Sequence, residues 1–167
     1  ALTTAWAGLD VGLLRLQNVL LHAATAVALF FFCRELLGAR QPRRDAAAFT
    51  GAALFALHPV TVYGVAYLSQ RSIVLATLFP VLSLHARLRG LRPEDVRWLA
   101  VSVVCYALAV LSKEHAVLLP AVVLALNVAE KDAPRNRWFA RRVSWALAAA
   151  GAIALAAVFM MRGVLGA

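Results

Sequence analysis

A few ionisable or amide side chains interrupt otherwise apolar stretches of this sequence: Arg15, Asn18, His22, His58, Gln70, Arg71, Lys113, Glu114 and His115. A charged group at bilayer depth costs on the order of 2.5–3.5 kcal/mol on insertion scales, so groups kept there are candidates for function. Asn18, His22, His58, Gln70, Arg71, Lys113 and Glu114 form the candidate substrate-binding set. Arg71 carries the planar fork that grips a phosphate through two parallel hydrogen bonds. Its plainer role is that of an interfacial arginine whose head reaches the lipid headgroups. Lys113 and Glu114 are adjacent, so on a helix they project about 100° apart and need not pair; a polar hairpin tip in water explains them equally well.

Arg15, Asn18, His22 and Thr25 are spaced three, four and three residues apart, which puts them on one helical face. Such a stripe either lines a wet cavity or makes interhelical hydrogen bonds. His58-Pro59 reads as a cap or kink, because proline cannot continue a regular helix. No Gly-rich phosphate loop, zinc-ligand spacing or Ser-His-Asp arrangement stands in the sequence. His58 and His115 lack the second histidine layer or Cys-x-x-Cys-His motif that a haem site needs. No cofactor is evident from these residues.

The elements that must position these groups are membrane helices. Hydrophobic residues make up 63% of the 167-residue chain and charged ones 15%, against about 45–50% and 25% in soluble domains. A net charge of +9 would raise nucleic acid as a partner for a soluble protein. Here the basic residues cluster between apolar blocks, which favours membrane lipids with anionic headgroups over nucleic acid.

The apolar blocks run over residues 11–33, 46–67, 72–86, 98–111, 116–129 and 143–161. Thirteen of the 17 Lys and Arg fall in three segments, 34–45, 87–97 and 130–142. Positive loops stay cytoplasmic, so an even number of crossings separates each pair. The expected fold is therefore all-α: a polytopic membrane helix bundle of about six transmembrane helices, two of them short. In this topology residues 58–71 and 112–115 face outward, and 1–167 forms a single transmembrane domain. One long tilted helix over 98–129 is the competing arrangement, and it would put a basic loop on the wrong side. Trp98, Trp138 and Trp145 lie near the basic loops, as interfacial anchors do. Cys33 and Cys105 sit inside apolar blocks and read as small hydrophobes rather than a disulfide.

Three segments carry a family resemblance: Leu16-Gln17-Asn18-Val19-Leu20-Leu21-His22; Leu54-Phe55-Ala56-Leu57-His58-Pro59-Val60, running on to Val65-Ala66-Tyr67-Leu68-Ser69-Gln70-Arg71; and Leu111-Ser112-Lys113-Glu114-His115-Ala116-Val117-Leu118-Leu119-Pro120. Over roughly residues 1–130 the chain resembles bacterial relatives of the transmembrane and tetratricopeptide-repeat O-mannosyltransferases, a branch of the GT-C membrane glycosyltransferases. The resemblance implies transfer of a sugar from a polyprenyl-phosphate donor to a protein or glycan acceptor on the extracytoplasmic side of a bacterial inner membrane. It also implies a catalytic carboxylate in a first outer loop, basic residues on the leaving phosphate, and a divalent metal in the full-length protein. Asp10 matches the turn after that loop rather than the catalytic acid. The chain is therefore expected to be part of a longer module, with its catalytic residues unassigned. The alternative is a non-catalytic membrane subunit or scaffold derived from such a module, working with other membrane subunits.

Overall fold

In a computed structural model, residues 11–67, 71–91, 95–129 and 145–153 are described, together with positions 142, 156 and 160. Helix α1 spans Val11–Leu37, 27 residues, or roughly 40 Å at 1.5 Å per residue. It ends where Gly38 turns into the left-handed region at φ 72°, a backbone conformation that suits glycine after a helix terminus. Arg34 in the last turn of α1 meets Asp45 in the first turn of the next helix, Nε to Oδ1 at 2.8 Å. Each charge thereby also stands at the helix end whose dipole favours it.

Helix α2, Arg44–Leu57, stops two residues before Pro59, and His58 between them is extended, as the restricted backbone ahead of a proline demands. Helix α3, Pro59–Ala66, restarts at once with that proline in its first turn, where a missing N–H costs nothing. The break expected at His58-Pro59 is thus present. Helix α4 spans Arg71–Leu91 and contains Pro80. Helix α5, Val96–Ser112, is capped by Asp95, whose carboxylate accepts the Arg97 N–H at 2.9 Å. A 3₁₀ turn, Glu114–Leu118, leads into α6, Leu119–Ala129. The expected interruption at Ser112–Lys113 therefore replaces the single long helix over 98–129. Residues 145–153 are helical too, and no strand occurs among the described residues.

The described residues are all-α, in keeping with a membrane helix bundle. Helices α1 and α4 are long and apolar enough to cross a bilayer, whereas α5 and the stretch His115–Leu126 are shorter apolar helices. Large apolar side chains point outward, including Leu13, Leu16, Val19, Leu20, Val27 and Phe31 on α1 and Val101, Val104, Leu108 and Leu111 on α5. Water would penalise such continuous apolar surface, and hydrocarbon does not.

The chain divides into two compact units, Ala1–Leu78 and Phe79–Ala167. In the first, α1 packs on α2; the buried residues of α1, Leu14, Asn18, Thr25, Ala28 and Phe32, recur one or two helical turns apart, and those of α2 are Ala48 and Ala52. Two alanines four residues apart let helix backbones approach closely, which is how membrane helices gain packing energy. In the second unit, Ser83 of α4 and Ser102 of α5 are fully buried and hydrogen-bonded to one another. Tyr106 of α5 donates to the Val117 carbonyl at 3.3 Å.

The sequence places Arg87 and Arg89 in a basic loop, and the structure corrects this: both belong to α4, which continues to Leu91. Arg87 is fully buried, and Arg89 lies over the Trp98 ring at 5.2 Å. Cys33 and Cys105 are free thiols, partly exposed. Residues 130–141 of the third basic segment, Trp138 among them, lie outside the described residues.

Candidate functional site

Breaking a helix between Leu57 and Pro59 strands backbone carbonyls, because proline has no N–H to offer and the next amides are diverted. The Val60 N–H goes to His58 Nδ1 at 3.2 Å, and the Thr61 N–H to the His58 carbonyl at 3.0 Å. The Phe55 carbonyl is recovered by the Thr61 hydroxyl at 2.9 Å, and the Ala56 carbonyl by His22 of α1, whose Nε2 lies 3.1 Å away. The His22 ring also packs on Phe55, with centroids 5.2 Å apart. As the partner is a carbonyl, His22 carries its proton on Nε2. One turn earlier on α1, the amide nitrogen of Asn18 donates to the Val65 carbonyl at 3.3 Å, near the end of α3.

The α1 stripe thus supplies hydrogen bonds that a broken helix lacks. On this polar face His22 and Asn18 bond backbone from α2 and α3. Thr25 instead bonds its own helix, to the Leu21 carbonyl at 2.8 Å, and Arg15 is exposed.

Arg71 opens α4, half-buried, and its Nε donates to Oδ1 of Asn18 at 3.3 Å. The structure therefore brings Asn18 and Arg71 into direct contact across 53 residues of sequence. His58 is exposed. With its Nδ1 accepting from Val60, its ring proton belongs on Nε2, where it is available as a donor. Among the expected members of the site, Gln70 lies outside the described residues.

Lys113 and Glu114 belong to the second unit. Lys113 is extended, at φ −162° and ψ 137°, ending α5 and starting the 3₁₀ turn. Its N–H donates to the Ala109 carbonyl and its own carbonyl accepts from Ala116, both at 3.1 Å. Its side chain is partly exposed and His115 is exposed, while the Glu114 side chain lies outside the described residues. The role of Thr61 was not anticipated: a hydroxyl two residues after a proline could have signalled it. Among the described residues no three His, Cys, Asp or Glu side chains converge. The divalent metal implied by the resemblance finds no ligand set among them.

Every regular element among the described residues is helical, and two of the helices are long and apolar enough to cross a bilayer. The family is specific: residues 1–161 match the dolichyl-phosphate-mannose-protein mannosyltransferases, and the chain belongs to that family. No curated protein and no solved structure matches the chain. The family is one of membrane glycosyltransferases of the mannosyltransferase type, using in general terms a lipid-linked sugar donor and a protein acceptor.

Proposed function

We propose that this chain is the multi-pass membrane segment of a glycosyltransferase of a bacterial inner membrane. It forms one transmembrane domain with its outer face toward residues 58–71 and 112–115. The enzyme moves a sugar from a polyprenyl-phosphate donor to a protein or glycan acceptor on the extracytoplasmic side. The carrying observation is the Arg71 guanidinium bonded to Asn18, which also holds the Val65 carbonyl near the end of α3. A lipid phosphate holds its negative charge at the interface, the depth this topology gives Arg71 and Lys113.

In this reading Arg71 holds the donor phosphate with His58 Nε2 and Gln70 as further donors, and Lys113 and Glu114 are further candidates for contact with donor or acceptor. Charge-assisted hydrogen bonds to phosphate are strong where water is thinned out. The Arg71 cation favours departure of the phosphate by stabilising the negative charge that develops on it. Transfer is measured with full-length protein and a polyprenyl-phosphate sugar donor. Arg71→Ala and Lys113→Ala each reduce transfer; unchanged transfer by both removes this role. Wild-type full-length protein that transfers from no such donor returns the scaffold reading.

A further inference from the structure

We propose that the corner between α1 and α2 binds an anionic phospholipid, with Arg34 and Arg44 on its headgroup phosphate and one exposed face of α1 along its acyl chain. Residues 34–45 carry four arginines against two carboxylates, Glu35 and Asp45, a net +2. Two of these cations are drawn together. Arg34 in the last turn of α1 and Arg44 at the start of α2 both donate from Nε to Oδ1 of Asp45, at 2.8 and 3.1 Å. Two positive heads thus share one negative oxygen, and the corner keeps an excess of positive charge. Neither head makes another hydrogen bond among the described residues. Arg34 is 40% exposed and Arg44 29%, so each is tethered and still open to an acceptor. A guanidinium has five N–H donors and spends one of them on Asp45. The rest suit a phosphate, through charge-assisted bonds.

Depth points to lipid as the source of that phosphate. Arg15 and Arg34 stand 19 residues apart on α1, about 28 Å at 1.5 Å per residue, close to the ~30 Å of bilayer hydrocarbon. With Arg15 at one headgroup layer, Arg34 lies at the other. Leu20, Val27 and Phe31 precede Arg34 by 14, seven and three residues, which puts all four on one helical face. The three apolar side chains are exposed. Leu20 lies about 21 Å from the level of Arg34, beyond the ~15 Å of a single leaflet. An acyl chain therefore finds apolar surface over its full length below the headgroup. A dissolved phosphate gains from the arginines alone, whereas a phospholipid gains from arginines and stripe together. The inference needs α1 to cross a bilayer and is independent of the role proposed for Arg71.

The experiment titrates phosphatidylglycerol, phosphatidylcholine or inorganic phosphate into full-length protein in dodecyl maltoside micelles. Bound lipid is counted by native mass spectrometry, and the melting temperature is followed in parallel. We expect phosphatidylglycerol to bind and to raise the melting temperature, with phosphatidylcholine and inorganic phosphate far weaker. Arg34→Gln/Arg44→Gln should weaken phosphatidylglycerol binding roughly thirty-fold, the effect of two interfacial cations. Arg40→Gln/Arg43→Gln removes the same charge from the exposed turn and should weaken it clearly less. Asp45→Asn keeps an acceptor oxygen for both Nε groups and removes the negative charge, so it should bind at least as tightly as wild type. Equal losses in the two double variants reveal diffuse surface charge and overturn the inference. Inorganic phosphate as effective as the lipid overturns it in favour of a free-anion site. A loss in Asp45→Asn matching that of the arginine pair makes the corner an ion pair of structural use only, and also overturns it. Arg34→Lys/Arg44→Lys serves if the glutamine pair does not accumulate: it keeps the charge, loses the planar forks and should bind more weakly. Wild-type binding by the lysine pair, or failure of both pairs to accumulate, overturns the inference.

Discussion

Ser83 and Ser102 bond each other reciprocally: each hydroxyl reaches the other's backbone carbonyl, at 2.8 and 2.9 Å, and the two hydroxyl oxygens lie 3.1 Å apart. Both residues are fully buried, so α4 and α5 are pinned at one depth by a closed polar contact in an apolar surround. Polar contacts between membrane helices are worth about 0.6 kcal/mol on average and up to roughly 1.7. Ser83→Ala and Ser102→Ala should each lower unfolding stability in detergent by about 1 kcal/mol. The double variant should lose less than the sum, because the two hydroxyls share one contact. Strict additivity in a denaturation series would show that they act independently.

His22 should behave as a structural residue first. His22→Leu leaves the half-buried Ala56 carbonyl without its side-chain donor, which costs about 1 kcal/mol. His22→Gln retains a donor on a chain of similar reach and should recover part of the loss. Thermal unfolding of the purified variants checks this, with equal melting of the Leu and Gln variants as the opposing result.

Two glycines should respond in opposite ways. A Cβ at Gly90 would lie 2.8 Å from Leu99 Cδ2 and 3.1 Å from the Leu99 backbone nitrogen, whereas at Gly51 nothing lies within 4 Å. Gly90→Ala should therefore destabilise by about 1–3 kcal/mol through overpacking. Gly51→Ala, inside α2, should stabilise by roughly 0.5–1 kcal/mol. Melting temperatures that move the same way for both would contradict this geometry.

Topology is testable by labelling. With Cys33 and Cys105 replaced, Arg40→Cys and Lys113→Cys report on opposite faces. An impermeant maleimide added from outside should modify Lys113→Cys and reach Arg40→Cys only after permeabilisation. Equal labelling of both in intact cells would defeat the proposed orientation.

Arg71→Lys keeps the charge and loses the planar fork. Transfer by the full-length enzyme should fall, by about ten-fold if two-pronged contact matters. Retention of wild-type activity would show that a point charge suffices at this position.

Much of the scaffold was legible because proline and charge punctuate this sequence. Pro59 marked the break between α2 and α3, and Lys113 stood where α5 ends. The segment that opens with Arg87 and Arg89 reads as a loop on charge density alone, and that signal is misleading here. Ala, Arg and Leu are strong helix formers, and α4 runs through them to Leu91. The α1 stripe was legible as a polar face, but its partners were not. His22 and Asn18 bond the carbonyls of Ala56 and Val65, and a backbone carbonyl leaves no trace in residue letters. The Asn18–Arg71 contact joins two side chains that the sequence did pick out, but spacing alone could not pair them.

The bonds made by α1 also have an order in time. His22 and Asn18 leave the ribosome 34, 47 and 53 residues ahead of Ala56, Val65 and Arg71 respectively. At about 5–20 residues per second this is a wait of roughly 2–10 s. In the proposed topology α1 is released toward lipid with an imidazole and an amide whose native partners have not yet emerged from the ribosome. A nascent chain with such a first helix gains from staying beside the insertion machinery until α3 arrives, so that α1 to α3 enter the bilayer as one hydrogen-bonded group.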